Sequence, residues 1–189
     1  MSQNPDAPSS SNIRAIAQMF RLTGWISFWI QLVLGIIAAV ILLLTSSQRS
    51  SNAAGNPGTG FGIFLAICGL ITLGVGIYLA YRYTRIGSQL QSANPSNRPR
   101  KIETIQVLRL GVIVNLVGIL LTLLGAQAIV GTLVARAITQ TQFIFTSQSN
   151  QPFITGLDMF VVQANTNTIS AHFAGLAASL WLLNRITKS

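Results

Sequence analysis

Residues 24–44 read GWISFWIQLVLGIIAAVILLL, an apolar run without Lys, Arg, Asp or Glu and with one strongly polar side chain, Gln31. A helix that spans a bilayer needs about 20 such residues, because backbone polar groups left unpaired in hydrocarbon cost several kcal/mol and a helix pairs its own. Trp25 and Trp29 open the run, where amphipathic indole rings suit the membrane–water boundary. Three further stretches meet the same standard, at about 61–83, 108–137 and 158–183. The fold class expected is therefore all-α: a polytopic membrane protein of four transmembrane helices arranged as two hairpins.

Composition agrees with that reading. Half of the 189 residues are hydrophobic, 8% are charged and the mean hydropathy is +0.57, so a soluble domain of this length would lack the polar surface to cover itself. Residues 1–12, rich in Ser, Asn and Pro, are expected to form a disordered tail before a membrane domain over 13–189. Ile13, Ile16, Ala17 and Phe20 recur at helical spacing and predict a short amphipathic lead-in at headgroup level, or an extension of the first helix. The first span is too long for a signal-peptide core and is expected to act as its own uncleaved insertion signal.

The formal charge of +9 sits beside the spans rather than in a soluble patch, so it reads as topology and no nucleic-acid partner is expected. Arg82, Arg85, Arg98, Arg100, Lys101 and Arg109 form a basic central loop opposed only by Glu103, and Arg14, Arg21, Arg185 and Lys188 fall on the same side. Arg49 and Arg136 fall opposite. The excess of Lys and Arg on cytoplasmic segments then places both termini and the central loop in the cytoplasm. Pro95 and Pro99 interrupt any helix in that loop, Tyr78, Tyr81 and Tyr83 mark the exit of the second span, and the phenylalanines of 139–157, Phe143, Phe145 and Phe153, are expected to skim the interface.

The fourth span is the informative one. Asp158, Gln163, Asn165, Thr166, Asn167, Thr168, Ser170 and His172 give it more polarity than an anchor requires. At 100° per residue Asp158, Asn165 and His172 share one face, and Gln163, Asn167 and Ser170 share the opposite one. Neither stripe suits lipid, so this helix is expected at the centre of a bundle or along a cavity, facing Gln31, Asn115, Thr122 and Gln127. The candidate transport path is Gln127, Gln163, Asn167, His172 and Asp158. The plainer reading is that amides and hydroxyls such as Gln31 and Asn115 fix helix register by hydrogen bonding. The glycines Gly111, Gly118 and Gly125, seven residues apart, offer a flat packing seam, and four helices enclose little volume, so a homo-oligomer or larger membrane complex is expected.

His172 can ligate a borderline divalent metal such as ferrous iron, shuttle a proton, or serve as a satisfied structural histidine; no HxxxH, ExxH or second intramembrane carboxylate accompanies it. Asp158 lies about 21 Å away along the helix, and its plain role is at the helix N-terminus. Cys68 is the one cysteine and reads as packing. Phosphate loops, nucleophile elbows and Cys–His dyads are absent, and Asp6, Glu103 and Asp158 lie in three separate regions, so no enzyme and no resident cofactor are expected.

Specific strings carry a family likeness: Phe28-Trp29-x-Gln31-Leu32-Val33, Asn115-Leu116-x-Gly118, Leu124-Gly125-x-Gln127-Ala128-x-Val130-Gly131, Asp158-x-Phe160-x-Val162-Gln163-Ala164, Asn167-Thr168, and His172-Phe173-x-Gly175-Leu176. Over roughly Arg21 to Ile186 the chain resembles the permease-in-chloroplasts family, four-helix proteins of the chloroplast inner envelope with cyanobacterial relatives described by a domain of unknown function. Gln163, Asn167 and His172 match the family pattern, whereas Asn165 does not. The resemblance implies either an iron permease, with iron as the transported ion, or a component of the inner-envelope protein translocon. The N-terminus has no transit-peptide character, which implies the bacterial branch and a multi-pass protein of a cyanobacterial plasma or thylakoid membrane.

Overall fold

The computed structural model describes residues 10–50, 57–92, 99–143 and 156–188, and all the regular structure in them is helical: α1 (Ser10–Ser50), α2 (Pro57–Leu90), α3 (Lys101–Phe143) and α4 (Gly156–Lys188). Residues 1–9, with Pro95, Arg98, Phe145 and Phe153, lie outside the described residues, as do the side chains of Ile13, Arg49 and Phe143. Each helix runs past the apolar span inside it. At 1.5 Å per residue, the 41 residues of α1 reach about 60 Å, twice the hydrocarbon thickness, so the ends extend beyond any lipid core. Among the described residues three helices are long and apolar enough to cross a membrane, over Arg14–Ser47, Gly60–Leu90 and Lys101–Ile138. α4 does not reach that mark, because the polar side chains of its first half lower its hydropathy.

The four helices pack in a ring in which each touches its sequence neighbour and α4 closes against α1, with α2 and α4 meeting across the middle. Two apolar clusters cap the ring. At one end Phe20 of α1, Leu79, Tyr83 and Ile86 of α2, Leu108 of α3, and Leu182 and Ile186 of α4 pack together. At the other end, Ala38 and Leu42 meet Ala66, Ile129, Leu133, Val161 and Ala164. The first cluster therefore joins the start of α1 and α3 to the end of α2 and α4. Ile86 and Ile186, which follow Thr84-Arg85 and Asn184-Arg185, pack in the same cluster.

The ends of the helices differ in detail from the sequence expectations. Of the two readings of 13–20, the structure has the extension of the first helix: the segment is continuous with α1, and Ala17 and Phe20 are fully buried in the bundle. The tail likewise gives way to helix at Ser10. Tyr83 is buried while Tyr78 and Tyr81 are exposed. Its ring fits because Gly111 of α3 has no side chain: a Cβ there would collide with the Tyr83 hydroxyl. Since the Ser179 hydroxyl donates to the Gly175 carbonyl at 2.8 Å, the Tyr83 hydroxyl donates to Ser179 Oγ at 3.0 Å.

Candidate polar centre

His172 is sixteen residues from either end of α4 and has no exposed surface. Its Nδ1 lies 3.1 Å from Asn115 Oδ1 on α3, and its Nε2 lies 3.1 Å from the Gly69 carbonyl on α2. Thr72 Oγ1 stands 3.5 Å from the same Nε2 and donates to the Gly69 carbonyl at 2.7 Å. Asn115 is held from the other side, where its Nδ2 donates to the Gly111 carbonyl at 2.8 Å. That bond aims the amide oxygen at the imidazole. Both ring nitrogens thus face acceptor oxygens: a neutral imidazole has one N–H and can donate to one of them, whereas an imidazolium donates to both.

Glycines make the centre possible. A Cβ at Gly118 would strike the His172 ring, and one at Gly69 would strike the Thr122 hydroxyl, which donates to the Gly118 carbonyl at 2.7 Å. Gly76 and Gly175 bring α2 and α4 close enough to α1 that a Cβ on either would meet the amides of both Gln31 and Asn115, 2.8 and 3.2 Å away at Gly76 and 2.6 Å from each at Gly175. Gln31 is buried, and its Nε2 donates to Ser27 Oγ at 2.7 Å. Its Oε1 has no hydrogen-bond partner among the described residues. An orphaned buried acceptor of this kind costs about 1–3 kcal/mol. The polar groups therefore converge from all four helices: Gln31, the Gly69 carbonyl with Thr72, Asn115, and His172.

The two stripes of α4 separate. Asp158, Asn165 and His172 face inward and are buried. Asn165 Nδ2 donates to the Val161 carbonyl at 3.3 Å, and its Oδ1 has no partner among the described residues. Gln163 and Ser170 are exposed on the outside of the bundle and Asn167 is half-buried there. Gln163 Nε2 donates to Asn167 Oδ1 at 3.1 Å, so these two pair with each other rather than with the centre. Gln127 is also exposed. Of the candidate path residues, only His172 lies at the centre; Asp158 is buried near the start of α4. Among the described residues no three His, Cys, Asp or Glu side chains come close enough to hold a metal ion, and the centre offers one imidazole and neutral oxygens.

Gly111, Gly118 and Gly125 of the seam all pack within the chain, Gly111 on Tyr83, Gly118 on His172 and Gly125 on Gly62 and Leu65. Arg82, Arg85, Arg100, Lys101 and Arg109 are exposed around the end of α2 and the start of α3. A shallow surface hollow lined by Gln18, Arg21, Leu22 and Trp25 lies outside the polar centre. The sequence marks Gly62, Gly69, Gly74 and Gly76 of the second span as points of close approach, and all but Gly74 are filled by a neighbouring helix. It does not show Thr72 or the Gly69 carbonyl as partners of His172, because nothing in a run of apolar residues and glycines tells which carbonyl or hydroxyl a distant imidazole will find.

Long apolar helices closed around a buried polar centre define a helical membrane protein. The chain belongs to the family described as "Protein of unknown function (DUF3611)", whose model matches residues 10–187. It is 34% identical over 186 residues, 96% of its own length, to "Protein TIC 21, chloroplastic" of Arabidopsis thaliana. It spans 61% of that relative's length. No solved structure matches it.

Proposed function

We propose that this chain is a permease-like protein that moves a small solute across its membrane, with iron as the candidate substrate. The observation that carries the reading is the polar centre midway along the bundle, where His172, Asn115 and Gln31 are held at the cost of an orphaned acceptor. An ionisable group at such depth is expensive and by default marks a substrate or ion path in a membrane bundle. In this reading α4 crosses together with the other three helices, since it packs along both α1 and α3. The helices form two hairpins with both termini and the basic residues in the cytoplasm, and the host is the plasma or thylakoid membrane of a cyanobacterium. No reaction and no resident cofactor are part of the proposal.

The second reading is a non-transporting assembly or protein-translocon subunit. It is favoured by how closely the glycines draw the helices around the centre and by the exposed basic group at the end of α2 and the start of α3. The two readings part in cells. An iron-dependent growth phenotype lost in His172→Ala supports the permease, and one that survives His172→Ala but fails when Arg98, Arg100 and Lys101 are neutralised supports the docking subunit.

A further inference from the structure

We propose that the outward face of α4 is the contact through which two copies of this chain pair in the membrane. This rests on the reading that α4 lies within the bilayer. Phe160, Gln163, Asn167, Ser170, Ala174 and Ala177 follow one another at alternating intervals of three and four residues, the spacing that keeps one seam against a partner helix in a left-handed crossing. None of the six is buried in the chain; four of them are exposed and Phe160 is 56% accessible. The inward seam of α3 cannot play this part, since Gly111, Gly118 and Gly125 are filled by Tyr83, His172 and α2.

The chemistry of the face selects the occupant. Between Asp158 and Arg185 the helix carries no carboxylate, Lys or Arg, so the face offers nothing to a charged partner. Lipid tails cannot satisfy its amides. Ser170 donates to the Thr166 carbonyl at 2.9 Å and Thr166 to the Val162 carbonyl at 3.0 Å, so both hydroxyls are paired within the helix. The Gln163 to Asn167 bond leaves the Asn167 NH2 and the Gln163 carbonyl without a partner among the described residues. An amide pair that presents a spare donor and a spare acceptor complements its own copy across a two-fold axis. A polar residue at one seam position is also what fixes register in paired helices. Ser170, Ala174 and Ala177 are small enough for the backbones to approach beside that bond.

The test uses the full chain in vesicles of zwitterionic lipid, after flotation and alkaline extraction have established insertion, so that failure of the membrane reading is seen separately. In a Cys68→Ala background, single cysteines at Ser170 or Ala174 on the face, and at Ile71 or Ile113 on lipid-exposed sides of α2 and α3, are oxidised with copper phenanthroline. Disulfide dimers are expected at 170 and 174 and not at 71 or 113. The joint variant Gln163→Leu, Asn167→Leu, which leaves the bundle interior untouched, is expected to weaken pairing about threefold to thirtyfold when read by energy transfer between labelled copies, the range for an interhelical hydrogen bond in a membrane. Inserted protein that shows no cross-link at 170 and 174, equal cross-linking at all four positions, or cross-links in cells only to a different chain would overturn the proposal.

Discussion

The imidazole Nδ1 of His172 on α4 lies 3.1 Å from the side-chain oxygen of Asn115 on α3, and the Asn115 amide nitrogen is tied to its own helix at the Gly111 carbonyl. One hydrogen bond orients the amide, and the amide orients the ring. The pair should therefore behave as a unit. In a double-mutant cycle of Asn115→Ala and His172→Ala, the coupling energy is expected at about 0.6–2 kcal/mol, the range for hydrogen bonds between membrane helices. Reversible unfolding in mixed detergent measures it, and additive single effects would remove the link from the account.

Gly118→Ala is expected to be disruptive, because its Cβ would meet the His172 ring, which is held at both nitrogens and cannot step aside. The loss should be about 1–3 kcal/mol, as for overpacking in a filled interior. Gly74→Ala is the control, since nothing lies within 4 Å of its Cβ position. There the better helix propensity of Ala should leave stability unchanged or raise it by up to about 1 kcal/mol. Thermal unfolding of the two variants in one detergent separates them.

Tyr83→Phe removes only the hydroxyl that donates to Ser179. Ser179 still donates to the Gly175 carbonyl, so no donor is stranded and the cost should be modest, about 0.5–1.5 kcal/mol. Gly111→Ala should cost more, because its Cβ collides with the Tyr83 hydroxyl. If the two variants ranked the other way, the burial of Tyr83 beside Gly111 would be wrong.

Lys101 at the start of α3 and Lys188 at the end of α4 are both exposed, at the helix ends that share the Phe20, Leu108 and Ile186 cluster. Cysteines placed at 101 and 188 in a Cys68→Ala background should be labelled from the same side of sealed vesicles by an impermeant maleimide. Labelling from opposite sides would contradict the proposed topology.

Much of this was legible in the sequence, and where it was not the reason is physical. The first three spans follow from the apolar runs, since hydrocarbon sets a minimum length and admits few charges. Helix ends were not legible, because a bundle can continue into water: Phe20 and Ala17 pack as core residues in a stretch whose Arg14 and Arg21 resemble a headgroup segment. For α4, the 100° turn per residue separates its two polar stripes but does not say which faces inward. Glycines on other helices decide that, Gly118 and Gly69 by opening room beside His172 and Thr122. Gln163 and Asn167 lie outward, paired with each other. Tyr83 departs from the interfacial pattern of Tyr78 and Tyr81 for the same kind of reason, a missing side chain at Gly111.

Transport through this bundle is proposed to depend on the polar centre. Iron uptake into vesicles containing the purified chain, measured beside His172→Ala, Gly74→Ala and empty vesicles, decides the point. Uptake above the empty vesicles is expected for the unaltered chain and for Gly74→Ala, with loss to background in His172→Ala protein that remains folded and inserted. Uptake unchanged in His172→Ala, or none from the unaltered inserted chain, would contradict it.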